Sequence, residues 1–367
     1  MRQVLVYIPW DGVSIGGVTV PLFGFGVFFW IWVALGAWTV YAIYFRSRDS
    51  QGESIDLFSV GFWLALAVAI VQSPQFGPKF APNGLPIFGY GFMLLLGLLS
   101  AVWLAERRAR LASFPPETIW DLAIWLFIPG IIGGRVFYLV QYSGRVYADT
   151  KNLQQFLWNT VNVSEGGLVL YGALIAGTVG FFSFCAVRRL HAFDLADIIM
   201  PSVFIGIGFG RIGCLLNGCC FGDRCSLPWG LEFPPDSGPY MALVVRGFLA
   251  PDAASTPPLH PTQLYSAFDG FLTAALCLWY YRYRRVPGDV LGLALLICPT
   301  TRFLIEFIRG DEYGQWGTSL TISQLISLGL LATGLLFQGY LAWQVRTRTV
   351  VKSPPREQPA LAMSSKS

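Results

Sequence analysis

Charged residues are scarce in this sequence, and their scarcity excludes a soluble globular protein. Only 13% of the 367 residues are Asp, Glu, Lys or Arg, whereas a soluble domain carries roughly 25%. Hydrophobic residues make up 54% of the chain, with 13 Trp and 29 Phe. Several apolar runs reach the roughly 20 residues that a helix needs to cross about 30 Å of hydrocarbon. The sequence therefore predicts an all-α, polytopic membrane helical bundle.

The first residues, MRQVLVYIPWDGVSIGG, lack an uninterrupted apolar stretch behind a basic start, so we expect no cleavable signal peptide. We predict about nine spans, at residues 22–44, 57–72, 87–105, 119–142, 166–186, 195–216, 263–281, 288–308 and 321–343. Two segments between spans, 143–165 and 222–262, contain Pro, Gly, Asp and Ser but no span-length apolar run. They predict a small external head of short, irregular elements.

Basic residues are distributed unevenly between the two sides of the membrane. If the N-terminus is outside, fifteen of the 25 Lys and Arg residues fall on the inward side and seven on the outward side. The other three, Arg135, Arg211 and Arg302, lie in or at the ends of spans. By the positive-inside rule we predict an outside N-terminus and a cytoplasmic C-terminus. Because the basic residues cluster at span ends, we expect no nucleic-acid partner.

One stretch of the chain resembles another. PLFGFGVFFWIWVALGAWTVYAIYFRSR, from Pro21, matches PIFGYGFMLLLGLLSAVWLAERRAR, from Pro86, in its Pro-x-Phe-Gly-x-Gly start, its span and its closing arginines. Similar hydropathy alone is the alternative explanation, but the shared start favours a duplication. Phe25 stands where Tyr90 stands, so the first copy lacks the hydroxyl. We predict an added pair of spans over 1–85, a seven-span core over 86–343 and a disordered cytoplasmic tail over 344–367.

With this topology, several clusters of polar groups near span ends fall together on the outer side. They are Tyr90 in GYG, Arg135 in GGR, Tyr171 in EGGLVLYGAL, Arg211 and Asn217 in GRIGCLLNG, His260 and Tyr265 in HPTQLY, and Arg302, Glu306 and Arg309 in RFLIEFIR. Each has a simpler explanation by itself: arginines snorkel to the interface, glycines pack helices, and Arg302 with Glu306 forms an intrahelical pair. Together they favour a site for an anion with an apolar remainder, such as a phospholipid head group, because arginine presents a planar fork to phosphate.

Four cysteines, Cys214, Cys219, Cys220 and Cys225, lie close together in the sequence. Their spacing is not the two pairs that are typical of a metal site. An external compartment would permit a disulfide from Cys219 or Cys220 to Cys225. Disulfide, small packing residues and metal ligands stay open as alternatives, while the overall prediction contains no metal and no cofactor.

Several of these motifs resemble those of the prolipoprotein diacylglyceryl transferases of bacterial inner membranes. GRIGCLLNG is similar to that family's Gly-Arg-x-Gly-Asn-x-x-Asn-Gly, HPTQLY to its His-Pro-x-Gln-Leu-Tyr, and RFLIEFIR to its Arg-Phe-x-x-Glu-x-x-Arg. GYGFM and GGR add weaker support. The resemblance covers about 86–343, in the family's order.

The resemblance implies that diacylglyceryl passes from phosphatidylglycerol to the lipobox cysteine thiol of a preprolipoprotein signal peptide, and that glycerol 1-phosphate leaves. It implies that Arg211 and Arg302 hold the phosphate, that Glu306 orients Arg302, and that Tyr90 and Asn217 supply polar contacts. Arg135, Tyr265, Arg309 and His260 complete the expected substrate-binding set, although His260 could simply anchor the loop before the seventh span. Tyr171 belongs to the expected catalytic set.

The chain departs from the family pattern at the proton-transfer step. Tyr171 stands where the family commonly has histidine, Cys214 replaces an asparagine, and Cys298 replaces a tyrosine. Two other classes of function therefore stay in view: a transporter or flippase for an amphipathic anion, and a non-catalytic lipid-binding homologue. Alternating access would require polar groups in both halves of the membrane, whereas this sequence collects them on one side.

Overall fold

The computed structural model describes residues 4–15, 18–46, 57–115, 117–148, 150, 152–162, 167–309 and 320–347. Residues 344–347 of the tail predicted to be disordered are helical, and the rest of it, from residue 348 onward, lies outside the described residues, as does Glu165 of the EGGLVLYGAL motif.

Within these ranges the chain forms eleven α-helices and four short β-strands. The helices are α1 (Val27–Arg46), α2 (Leu57–Phe80), α3 (Gly89–Leu111), α4 (Thr118–Val146), α5 (Leu153–Val161), α6 (Leu170–Arg188), α7 (Ala192–Asn217), α8 (Gly238–Val245), α9 (Thr262–Tyr280), α10 (Asp289–Glu306) and α11 (Ile322–Thr347). The strands are β1 (Val4–Ile8), β2 (Val13–Ile15), β3 (Val18–Val20) and β4 (Leu85–Phe88). Each of the nine predicted spans coincides with one long helix, which confirms the predicted all-α membrane bundle.

Six of the described helices are long and apolar enough to cross a bilayer: α2 over Val60–Phe80, α3, α4, α6, α7 and α11. Helix α1 contributes a shorter apolar stretch, Val27–Tyr41. Helices α9 and α10 are more polar, because α9 carries Asp269 and α10 carries Asp289, Arg302 and Glu306. Ionisable residues in a membrane helix mark functional positions by default, so these two helices are the first place to look for a site.

Four helices, α2, α3, α4 and α11, run at least four residues beyond their predicted ends. Helix α2 continues to Phe80 with Pro74 and Pro78 inside it, where the sequence predicted a loop after residue 72. Helix α4 reaches Val146, with a kink at Tyr142, whose φ and ψ are −117° and 21°. The segment predicted to be irregular over 143–165 also contains α5, because Asn152 caps that helix by accepting a hydrogen bond from the Gln155 backbone N–H (2.9 Å).

The chain divides into two compact units. Unit 1 consists of Met1–Leu95, Gly213–Cys219 and Phe233–Thr256, and unit 2 of Leu96–Ile212, Cys220–Glu232 and Pro257–Ser367. The domain boundaries predicted at residues 85 and 343 stay predictions.

In unit 1, a small sheet joins the start of the chain to the start of α3. Strand β1 pairs antiparallel with β4, with Tyr7 opposite Pro86, and β2 pairs with β3. The Trp10 indole N–H donates to the Ala81 carbonyl oxygen (2.7 Å). Gly77 leaves room for that ring, because an added Cβ would lie 2.5 Å from Trp10 Cζ2. These strands were not predicted from the sequence.

The two copies of the repeat begin differently in unit 1. Gly89 and Tyr90 are the first residues of α3, whereas α1 begins only at Val27, after Gly24 and Phe25. Gly24 has a φ of +70°, which glycine adopts without strain, and its N–H donates to the Ile70 carbonyl oxygen (3.1 Å). Phe25 is 71% exposed, compared with 40% for Tyr90. The shared sequence pattern therefore gives two local conformations.

In unit 2, glycines bring α4 and α6 into close contact. A Cβ added at Gly133 would lie 2.5 Å from the carbonyl oxygen of Gly172, and the Val169 N–H donates to the Gly134 carbonyl oxygen (3.0 Å). Small residues permit such approaches between membrane helices. The glycines in GGR and in the Gly172 motif thus pack helices, which was the simpler of the two explanations considered for them.

The other end of unit 2 carries basic residues around one buried carboxylate. Asp197 accepts hydrogen bonds from the backbone N–H groups of Gly288 (2.8 Å), Val290 (3.0 Å) and Leu291 (2.9 Å), so it caps the start of α10. The guanidinium carbons of Arg108 and Arg284 lie 4.1 Å and 4.4 Å from the Tyr281 ring centroid. This end is therefore fixed by internal contacts of its charges.

Candidate active site

Three charges cluster at the end of α10 and in the segment that follows it. The Glu306 side chain is fully buried and forms ion pairs with Arg302 and with Arg309, whose Nη1 lies 3.6 Å from Glu306 Oε2. That oxygen takes both ion-pair contacts without a well-aligned hydrogen bond. A buried carboxylate must be paired, and here one carboxylate serves two guanidiniums. The cluster is therefore positively charged.

The residue just before α11 fixes the other oxygen of Glu306. The Thr321 hydroxyl donates to Glu306 Oε1 (2.9 Å), and Thr321 is itself held by Gln324, whose backbone N–H donates to the same hydroxyl oxygen (3.2 Å). The Thr321 backbone N–H donates in turn to Gln324 Oε1 (3.0 Å). Because both oxygens of Glu306 are engaged, its carboxylate has one orientation, and Arg302 is oriented with it.

Arg211, in the last turns of α7, is half-buried and forms no ion pair or hydrogen bond with any other described residue. Its charge is close enough to that of Arg302 for the two to interact, as are the charges of Arg309 and Glu306. A half-buried guanidinium that lacks a partner among the described residues is suited to an anionic ligand.

Three motifs that are distant in sequence meet beside this cluster. The Gly222 N–H donates to the His260 carbonyl oxygen, the His260 N–H to the Asp223 carbonyl oxygen, and the Asp223 N–H to the Ile308 carbonyl oxygen, each at 2.9 Å. A side chain at Gly222 would not fit, because its Cβ would lie 2.7 Å from the Ile308 carbonyl oxygen. The ends of GRIGCLLNGCCFG, HPTQLY and RFLIEFIR are thus joined by backbone hydrogen bonds.

His260 and Tyr265 contact each other at the start of α9. The Tyr265 hydroxyl accepts a hydrogen bond from the Trp229 indole N–H (2.7 Å) and lies 3.3 Å from His260 Nδ1. The backbone of His260 is bonded on both sides by residues 222 and 223. His260 therefore anchors the segment that enters α9, while its imidazole also reaches the tyrosine hydroxyl.

Asp269 is a candidate site residue that the sequence analysis missed. It lies in the middle of α9, and its Oδ2 accepts a hydrogen bond from the Thr301 hydroxyl on α10 (2.9 Å). Asp269, Arg211 and Arg302 all lie within electrostatic range of Cys298. An aspartate inside a predicted span was the signal available in the sequence.

Arg135 is engaged by the backbone of unit 2. Its guanidinium donates to the carbonyl oxygens of Asn159 (2.5 Å), Thr160 (2.9 Å) and Gly167 (3.1 Å). The guanidinium carbon also lies 5.2 Å from the Tyr138 ring centroid. Arg135 thus ties the end of α5 and the segment before α6 to α4.

Tyr171 lies in the first turn of α6 and is half-buried. Its hydroxyl forms no hydrogen bond with any other described residue. The structure therefore gives Tyr171 no proton-relay partner within the described ranges.

Tyr90 and Asn217 belong to unit 1. The Tyr90 ring packs over Gly213 of α7, because a Cβ added there would lie 3.0 Å from Tyr90 Cδ2. Asn217 is exposed and is the last residue of α7. Gly213 thus leaves little room for a side chain beside the tyrosine of GYG.

No disulfide joins any of the seven cysteines, all of which are described. Cys225 is buried and packs against Gly230, where an added Cβ would lie 3.2 Å from Cys225 Cβ. In unit 1, the Cys214 and Cys219 sulfur atoms lie within 4.8 Å of each other. A structural zinc site has four ligands, and these two cysteines alone would supply only half of them.

Chemically, the cluster in unit 2 can bind an anion and stabilise negative charge. The guanidiniums of Arg302 and Arg309 share the Glu306 carboxylate, and that of Arg211 lies close enough to Arg302 for their charges to interact. Arginine forks match the oxygens of a phosphate group bidentately.

Comparison with known proteins gives a consistent family match. Residues 79–340 match a family model described as prolipoprotein diacylglyceryl transferase. The phosphatidylglycerol–prolipoprotein diacylglyceryl transferase of Clostridium tetani is 36% identical over 255 residues, which are 69% of this chain and 92% of that protein. A relative of the same name from Clostridium perfringens is 33% identical over 254 residues, 69% of this chain and 90% of its own length. The Rhodopirellula baltica relative, also so named, is 32% identical and covers 96% of this chain and 92% of itself.

Proposed function

Because the chain belongs to the prolipoprotein diacylglyceryl transferase family, we propose that it transfers diacylglyceryl from phosphatidylglycerol to prolipoprotein, with Arg211 and Arg302 as its phosphate site. The chain is a multi-pass membrane transferase. The observation that carries the residue assignment is the charge arrangement in unit 2: Glu306 orients Arg302, and Arg211 lacks a counter-ion among the described residues.

The acceptor is the lipobox cysteine thiol of a preprolipoprotein signal peptide, and the reaction is the first step of lipoprotein maturation. The thiolate sulfur forms a bond to the glyceryl carbon, the bond between that carbon and the phosphate oxygen breaks, and glycerol 1-phosphate leaves with the electron pair. Charge on the leaving phosphate must be stabilised, and the thiol must lose its proton. Arg211 and Arg302 meet the first requirement.

The thiol proton is removed with the help of the arginine field. A cysteine thiol titrates near 8.5 and is only a few per cent thiolate at neutral pH, and adjacent guanidiniums lower that pKa. Tyr171 positions the substrate by its hydroxyl. Tyr90, Asn217, Tyr265 and Arg309 supply polar contacts to the substrates, and His260 also contributes through its contact with Tyr265.

Arg135 acts by positioning. Three of its donors are occupied by backbone carbonyl oxygens, so it supports the substrate site through α5 and the segment before α6.

The protein lies in the bacterial inner membrane with its N-terminus outside, its C-terminus in the cytoplasm and its site facing outward. The uneven distribution of basic residues supports this orientation, as does the basic cluster around Asp197 at the other end of unit 2. Residues 1–85 are an addition to the transferase core of 86–343, residues 222–262 form its external head, and 344–367 are a cytoplasmic tail.

Labelling of an engineered cysteine at Asp236 by a membrane-impermeant maleimide should succeed from outside. Labelling only after lysis would reverse the orientation.

The deciding experiment is complementation of cells depleted of their own diacylglyceryl transferase, combined with transfer measured on the purified protein. The wild type should rescue growth, whereas Arg211→Lys and Arg302→Lys should lose at least tenfold in transfer while remaining folded, because lysine keeps the charge but not the fork. Arg188→Lys is the matched control, since Arg188 pairs with Asp121 and its side chain is 55% exposed. Full activity in both site variants would reject the phosphate site. Lipid flipping without transfer would favour the transporter.

A further inference from the structure

We propose that Cys214 and Cys219 form a reversible disulfide, which makes the end of α7 a redox-sensitive modification site. The two residues bracket Asn217 in the GRIGCLLNG motif. The proposal goes beyond the transferase assignment. Only its relevance in the cell rests on the outward orientation proposed above, because an external compartment is oxidising.

The backbone at the end of α7 fixes these two cysteines relative to each other. Gly218 has a φ of +76°, its N–H donates to the Leu215 carbonyl oxygen (3.2 Å), and the Cys219 N–H donates to the Cys214 carbonyl oxygen (3.1 Å). This pair of hydrogen bonds around a left-handed glycine is the Schellman motif, in which Cys214 is residue C3 and Cys219 is residue C″. All of these residues belong to unit 1.

The motif also brings the two side chains together. Side chains at C3 and C″ commonly contact each other in a Schellman ending, and here both are thiols. The sulfur atoms lie within 4.8 Å of each other, and the Cys219 thiol lies 3.7 Å from the Cys214 carbonyl oxygen. Both residues are half-buried, so a small thiol reagent can reach them.

Closing the bond requires a sulfur–sulfur distance of about 2.0 Å. Side-chain rotation supplies the remaining movement, because the hydrogen bonds of Gly218 and Cys219 already hold the backbone in a tight turn. The chemistry is thiol–disulfide exchange with a disulfide-bonded oxidant. The two thiols lose two protons and two electrons and form one S–S bond, while the oxidant's disulfide is reduced to two thiols.

The test uses the purified full-length chain in detergent micelles, treated with oxidised glutathione, then denatured and alkylated. The chain has seven cysteines. Oxidation should remove two alkylatable thiols and lower the mass of the peptide that contains both residues by two hydrogens, and dithiothreitol should restore both. Cys214→Ser and Cys219→Ser should each abolish the effect. Cys220→Ser, which removes the neighbouring thiol, is the matched control and should retain it.

Three outcomes would overturn the proposal: all seven thiols remaining alkylatable, a disulfide mapped to another pair such as Cys219 with Cys225, or a tightly bound metal that protects the thiols without loss of hydrogen. Cys214→Ala and Cys219→Ala provide second variants if a serine fails to fold. Because the assay contains no phosphatidylglycerol and no prolipoprotein, a negative result does not affect the transferase proposal. Failure of the transfer assay likewise does not affect the disulfide proposal.

Discussion

Glu306→Gln should destabilise the protein strongly, because it removes one buried negative charge that serves two arginines. Glutamine has nearly the same shape and can still accept the hydrogen bond from Thr321. The change therefore isolates the charge. The Glu306 side chain is fully buried and those of Arg302 and Arg309 are 23% and 8% exposed, so water can replace the lost partner only in part. Breaking a buried ion pair on one side costs about 3–5 kcal/mol, and we expect the free energy of unfolding to fall by about that amount.

The chain supplies a matched control for this change. Glu106 and Arg110 on α3 form another ion pair between residues four apart, but their side chains are 22% and 65% exposed. Exposed helical pairs of this spacing contribute about 0.3–0.5 kcal/mol, so Glu106→Gln should have little effect. The assay is equilibrium unfolding of the purified variants in detergent micelles, at low and high salt. The loss in Glu306→Gln should persist at high salt, since a buried pair is screened little. Equal stability of the two variants would refute the reasoning.

Two further predictions concern tyrosines. Tyr90→Phe should reduce transfer whereas Phe25→Tyr should change it little, because Phe25 lies in the copy whose helix begins later and is 71% exposed; equal effects in a transfer assay would argue against a peripheral first copy. Tyr171→Phe should lower turnover modestly and Tyr171→His should be tolerated or improve it, because a tyrosine hydroxyl is a poor base at neutral pH. If Tyr171→Phe abolished transfer while phosphatidylglycerol binding persisted, Tyr171 would be the proton acceptor.

Hydropathy was sufficient to locate the long helices, because each span must satisfy its backbone hydrogen bonds internally and therefore appears as one continuous apolar run. Hydropathy was insufficient where backbone hydrogen bonds join segments that are distant in the sequence. Strand β1 has only five residues, and its partner β4 follows about 80 positions later, so neither carries a strand signal of its own. Helix α2 runs past the end predicted at residue 72 and continues to Phe80, although Pro74 and Pro78 lie inside it.

Part of the site could be predicted from the sequence for a similar reason. Arg211, Arg302 and Glu306 were identified because charges in apolar helices are rare. The sequence could not reveal that Thr321 fixes Glu306, since a threonine at the start of a helix ordinarily suggests a cap. Nor could it reveal that Arg135 bonds backbone carbonyl oxygens, which have no sequence signature.

On the proposed mechanism, the charge balance of the cluster also explains why it accelerates transfer and does not merely bind lipid. Phosphatidylglycerol brings a phosphodiester with one negative charge, and the departing glycerol phosphate gains a second as its bond to carbon breaks. Arg211 and Arg302 therefore bind the leaving group more strongly in the transition state than in the substrate, which is the condition for catalysis. Two uncompensated guanidiniums would also hold the product tightly. Glu306 neutralises part of that charge through its pair with Arg302, so it orients the arginine and at the same time eases product release.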